Sequence, residues 1–150
     1  MKIDGVDELT AELEQLMYGL NYSPTFGLLR LPAGLSLEAA EAAVVLTYPH
    51  ARFDKPILSD AETLWDEVDY GFRYRGDYGS GLTLSVDEET RLQAVQERYR
   101  DLARGFIGPG SVIYTGGFAG LPGYPVFWDF RYIVLNYDRH GLLLVGSASD

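Results

Sequence analysis

Two periodicities divide the chain. At the N-terminus Val6, Leu9, Leu13, Leu16, Met17 and Leu20 fall within about 100° of arc at helical spacing, with Asp7, Glu8 and Glu14 outside it. The pattern predicts an amphipathic helix over 5–20, capped by Asp4, with its apolar stripe on the core. Ser59 followed by Glu62 has the spacing of a capping box and predicts a second helix over 60–69. Leu64, Trp65 and Val68 point to one side of that helix, while Glu62, Asp66 and Asp69 share the other at i, i+4 and i+7. Ser85 and Glu88 form another box, and Leu92, Val95, Tyr99, Leu102 and Phe106 carry a helix over 86–104. Its acidic first turn and basic last turn match the helix dipole, which is a sufficient reason for those charges.

Alternation at period two predicts strands at Phe26–Leu31 and 111–115, then a long strand over 126–137 and an almost wholly apolar one over 142–145. In the long strand Asp129 and Arg131 interrupt only one of the two alternating sets, so it is covered on one face and partly on the other. Asp138, Arg139, His140 and Gly141 supply turn chemistry between the last two strands. A hairpin this apolar belongs in the middle of a sheet. Tyr70, Phe72 and Tyr74 also alternate as in a strand. Residues 36–48 read both ways: Ser36 can cap a helix through LEAAEAA, but Val44–Tyr48 has strand character before Pro49 stops either element. The resulting fold class is α+β, one domain with three helices on one face of a mainly antiparallel sheet that ends in a three-stranded meander.

Charge changes the picture more than composition does. The 150 residues hold twelve basic and twenty-two acidic side chains, a net charge of −10. Asp4, Asp7, Glu8, Glu12 and Glu14 against Lys2 leave −4 in the first fourteen residues, and the five carboxylates of residues 60–69 stand with no base among them. Direct nucleic-acid or anionic-membrane binding is disfavoured by this balance, and a basic partner is favoured. The absence of cysteine fits a reducing compartment. The acidic, amphipathic start has no continuous apolar region of the kind a signal peptide or membrane span needs, so the expected location is the cytoplasm.

Catalytic chemistry has little to build on. The two histidines, His50 and His140, lie beside a proline and in a turn, with no nucleophile or orienting partner indicated. Without cysteine they make no transition-metal set, and the acidic helix lacks the glycine and alternating oxygen ligands of a calcium loop. Gly116-Gly117-Phe118-Ala119-Gly120 resembles a phosphate-binding turn, but a strand rather than a helix follows it. The reading is therefore a protein without catalytic residues, metal or cofactor. A small hydrolase or lyase using paired carboxylates is the alternative, and a structural or regulatory module the third.

The candidate partner-binding residues are Glu62, Asp66 and Asp69, with Tyr70, Tyr74, Asp77 and Tyr78 of the adjoining tyrosine- and glycine-rich segment. Like charges at helical spacing cost an isolated helix a few tenths of a kcal/mol per pair, roughly, so helix stability does not explain the ridge. A small, acidic, cysteine-free domain with such a ridge, ending in FWDFRYIVLNYDRHGLLLVGSASD, resembles the immunity proteins that neutralise bacterial contact-dependent or polymorphic toxins. That resemblance implies stoichiometric binding of a basic toxin domain.

Overall fold

The computed structural model describes residues 2–76 and 82–150. Its elements are α1 (Val6–Leu16), β1 (Ser23–Leu31), α2 (Leu37–Thr47), β2 (Arg52–Phe53), β3 (Ile57–Ser59), α3 (Ala61–Arg73), α4 (Val86–Arg104), β4 (Val112–Thr115), β5 (Phe118–Ala119), β6 (Trp128–Leu135) and β7 (Gly141–Ser149). The main sheet has the order β1-β7-β6-β4-β3, with every pairing antiparallel. The chain is α+β, and β4, β6 and β7 form the C-terminal meander. Among the described residues no helix is long and apolar enough to cross a membrane.

Parity along the strands sorts the core into two layers. Phe26 and Leu28 of β1, Trp128, Phe130, Tyr132 and Val134 of β6, and Leu142 and Leu144 of β7 face one side. There they meet Val6, Leu9 and Leu13 of α1, Leu64, Val68 and Phe72 of α3, and Leu92, Val95 and Tyr99 of α4. The three helices therefore share one face. Leu29, Leu31, Ile133, Leu135, Leu143 and Val145 face the other side. The undecided segment covers it as a helix: Ser36 Oγ accepts the Ala39 N–H at 3.2 Å, and Ala40 and Val44 of α2 are buried there. Alanine-rich propensity outweighs the β-branched pair because Val44 alone needs burial and lies one helical turn from Ala40. Cover on both faces is why β7 is apolar at successive positions rather than at alternate ones.

Several helix ends differ from their predicted places. Asp4 does not cap α1. The helix starts from Gly5 at φ 79°, with no side-chain cap, and stops at Leu16, so Leu20 is 91% exposed. Ser59 does not cap α3, because it is the last residue of β3 and pairs with Ile113. Asp60 does so instead, its carboxylate accepting the Thr63 N–H at 2.7 Å. The helix then runs on to Arg73, which puts Tyr70 and Phe72 on a helix rather than a strand. Period two over three aromatic residues cannot compete with Leu64, Val68 and Phe72, which are buried at the i, i+4, i+8 spacing of one helical stripe. The box at Ser85 and Glu88 is present, with both reciprocal bonds at 3.0–3.1 Å.

The Gly116–Gly120 run is structural. Gly117 and Gly120, at φ 70° and 71°, flank β5, and a side chain on either would meet the backbone of Asp54 or His50. The two-residue strand can then pair with β2 and set Phe118 against Phe53 at 5.1 Å.

Among the described residues two buried side-chain oxygens have no hydrogen-bond partner, the Tyr99 hydroxyl and Ser147 Oγ. Tyr99 is fully buried among Phe26, Phe72 and Phe130, at 5.3–6.5 Å between ring centroids, and no described atom hydrogen-bonds its hydroxyl. Burial pushes its pKa well up. Because an unmet buried hydroxyl carries its desolvation cost without return, Tyr99→Phe is expected to keep or raise stability, by up to about 1 kcal/mol. A urea melt showing a loss above about 1 kcal/mol would mean that the hydroxyl is satisfied.

Candidate functional site

Helix α3 presents three surfaces. Leu64, Val68, Gly71 and Phe72 are its buried side. A second side meets α4, where Arg100 Nε donates to Asp69 Oδ1 at 2.9 Å and its guanidinium lies 5.0 Å from the centroid of the Phe72 ring. Next to it Arg104 lies 5.5 Å over Trp65 and bonds Glu97 and Asp101, at 3.0 and 2.6 Å. The third side faces the start of β6.

The predicted ridge is split by these surfaces. Glu62 and Asp66 are exposed, whereas Asp69 is half-buried and already paired with Arg100. Tyr70 is 51% exposed. Tyr74 is half-buried, packing its ring against Tyr22 and Phe127 at 5.6 Å and Tyr70 at 6.2 Å. Its role is therefore packing beneath the surface, with Tyr70 as the outer ring. Asp77 and Tyr78 lie outside the described residues.

Asp66 and Tyr70 come together with residues outside the predicted set. Between α3 and β6 lies a groove of about 400 Å³, with Asp66, Glu67 and Tyr70 on one wall and Phe127, Trp128 and Asp129 on the other. It is open because β4 pairs only with residues 132–135 of β6, which leaves residues 128–131 with β7 on one side and no strand of the main sheet on the other. A smaller cavity of about 170 Å³ adjoins it, sharing Glu67 and Asp129 and bordered by Arg131.

The walls are held from behind. Trp128 stacks on Phe130 at 5.7 Å with the planes 10° apart, and its Nε1–H donates to the Tyr22 hydroxyl at 2.6 Å. Burial pushes the Tyr22 pKa up to about 12, which keeps that hydroxyl neutral as the acceptor. Helix α3 can sit down on the indole because position 71 is glycine; a Cβ there would stand 2.8 Å from Trp128 Cε3. From the core the Tyr132 hydroxyl donates to Glu67 Oε2 at 2.6 Å. Burial first, and that bond second, raise the Tyr132 pKa, so the phenol stays a donor and orients the carboxylate.

Three carboxylates beside aromatic rings have the chemistry that attracts cations, in particular cations that also stack, and one of the three, Asp129, has Arg131 at 3.6 Å. Glu67, Phe127, Trp128 and Asp129 were missed by the sequence reading of the site. Asp129 had a signal, as a charge breaking the alternation of a buried strand, but its position opposite Asp66 depends on how α3 lies across the sheet. His50 and His140 line neither cavity, and His140 Nδ1 instead lies 3.3 Å from the Leu31 carbonyl oxygen. Among the described residues no group of three His, Asp or Glu side chains is placed to hold a metal ion. No protein-family model matches the chain, and neither a curated protein nor a solved structure gives a match.

Proposed function

We propose that this protein is a non-catalytic binding protein that docks a basic protein through the α3–β6 groove. A toxin domain, held in one-to-one complex in the cytoplasm, is the partner that fits the resemblance to immunity proteins. The observation that carries the reading is the groove itself: carboxylates of α3 and β6 line it together with three aromatic residues, of which Tyr70 is exposed, on a chain of net charge −10. Complementary charge speeds encounter with a basic partner, and desolvated rings contribute to holding it. Asp69 drops out of the proposed contact set because Arg100 already neutralises it. Tyr70 rather than Tyr74 is the ring to test, since removing Tyr74 disturbs packing as well as any contact.

The test is stopped-flow association with a purified basic toxin domain encoded beside this protein. Glu62→Lys with Asp66→Lys is expected to slow association at low salt by about tenfold or more and to flatten its dependence on ionic strength, with the melting temperature almost unmoved. Tyr70→Ala is expected to act mainly on dissociation. Rates that ignore the charge reversal at low salt would remove this face from the interface.

A further inference from the structure

We propose that the groove is a socket for one arginine side chain of the partner, an inference that rests on the docking role proposed above. Helix α3 already shows the chemistry on its other side. There two guanidinium groups from α4 each lie over an aromatic ring and bond to carboxylates, Arg100 over Phe72 with Asp69, and Arg104 over Trp65 with Glu97 and Asp101. Both halves of that arrangement recur in the groove, rings in Tyr70, Phe127 and Trp128 and carboxylates in Asp66, Glu67 and Asp129. The cation does not recur within the groove, since among the described residues no lysine or arginine lines it.

Two arginines of the chain approach this region without lining the groove. Arg131 sits 3.6 Å from Asp129 on the side of the smaller cavity, where its Nη1 donates to the Phe118 carbonyl at 3.4 Å. Arg75 is spent on both oxygens of Glu89 and on the Phe72 and Tyr74 carbonyls. Arg131 therefore offsets Asp129 from within, and the partner's arginine is left the charge of Asp66 and Glu67.

Size and shape favour a guanidinium over an ammonium. At about 400 Å³ the groove is near the lower end of ligand pockets, which span about 300–1,000 Å³, and admits an extended side chain rather than a folded element. A planar, weakly hydrated guanidinium stacks on a ring while its edge donates to two carboxylates at once, and a lysine ammonium does only the second. Glu67 is prepared for this, one oxygen held by Tyr132 and the other left for a donor.

The experiment titrates the isotope-labelled full chain with N-acetyl-arginine methylamide, followed by nuclear magnetic resonance at low salt. The lysine and citrulline counterparts serve as probes of charge without the plane and of shape without the charge. Saturable shifts are expected at the Asp66, Glu67 and Asp129 amides and the Trp128 indole N–H, with a Kd of about 1–10 mM, as befits so small a ligand. The lysine amide should bind at least about fivefold more weakly and the citrulline amide should not saturate, because stacking and charge are both needed. Asp66→Asn with Asp129→Asn should weaken the arginine amide by about tenfold while the fold is retained, two exposed carboxylates being removed.

Equal affinity for arginine and lysine amides, saturation by citrulline, or no saturable shift would each overturn the socket. If the socket fails while charge reversal still slows association with the basic partner, the docking surface stands and only its arginine is lost. If the arginine amide binds but partner kinetics ignore Glu62→Lys with Asp66→Lys, the docking reading falls, and the partner's arginine with it.

Discussion

Phe130→Ala is expected to lower the free energy of unfolding by about 3–5 kcal/mol, the range of a large aromatic side chain removed from a core that cannot close over the gap. Phe130 is 1% exposed and sits at the centre of the three-helix layer. Its ring stacks on Trp128 at 5.7 Å, with Phe26 at 6.2 Å and Tyr99 at 6.5 Å. Opposite it on β7 is Gly146, where a Cβ would stand 2.3 Å from Phe130 Cζ, so the ring lies directly over the neighbouring backbone. That geometry decides the magnitude. The partner strand has no side chain at that position to fill the space, and two flanking strands hold β7 in place. Urea unfolding with unchanged slope and a lower midpoint is the expected readout. A loss below about 1 kcal/mol would put the ring at the surface and contradict the layer assignment.

Gly71→Ala is expected to destabilise the protein by about 1–3 kcal/mol and to alter the groove, against the usual direction for glycine in a helix. Propensity alone favours alanine by about 1 kcal/mol. The added Cβ, however, would lie 2.8–2.9 Å from two atoms of the Trp128 indole. The indole cannot retreat, since its face is against Phe130 and its nitrogen is bonded to Tyr22. Helix α3 must therefore lift, which loosens Leu64, Val68 and Phe72 beneath it. Because Trp128 is also a wall of the groove, the indole N–H resonance should shift and the arginine amide should bind more weakly. A variant more stable than the parent, with the indole resonance unmoved, would show that the helix yields without cost and that glycine is not required there.

These two positions also mark how far sequence patterns reach. Phe130 was recognisable as core, because it belongs to an alternating set within a strand too apolar for a sheet surface. Gly71 carried no such signal, since its meaning lies in an indole fifty-seven residues away in the chain. The same holds for the site. Asp66 and Tyr70 were legible as charge and ring on an outward helix face. Glu67 and Asp129 were not, because a carboxylate becomes part of a groove only through what stands opposite it. Asp69 looked equivalent to Asp66 by spacing alone. It differs because α4 passes on its side and supplies Arg100.

Local chemistry in the sequence determined the elements that depend on neighbours within a turn or two: the apolar stripes of α1, α3 and α4, the capping box at Ser85, the alternation of β6, and the acidity of residues 60–69. Tertiary structure alone decided where elements compete or meet. It took Ser59 into a strand and left the cap to Asp60, and it laid α2 on the far face of the sheet. It also ended β4 short of Trp128, which opened the groove. The physical reason is range: hydrogen bonds and side-chain spacing within a helix or strand are encoded by adjacent residues, whereas burial and opposition are set by which distant surfaces the sheet brings into contact.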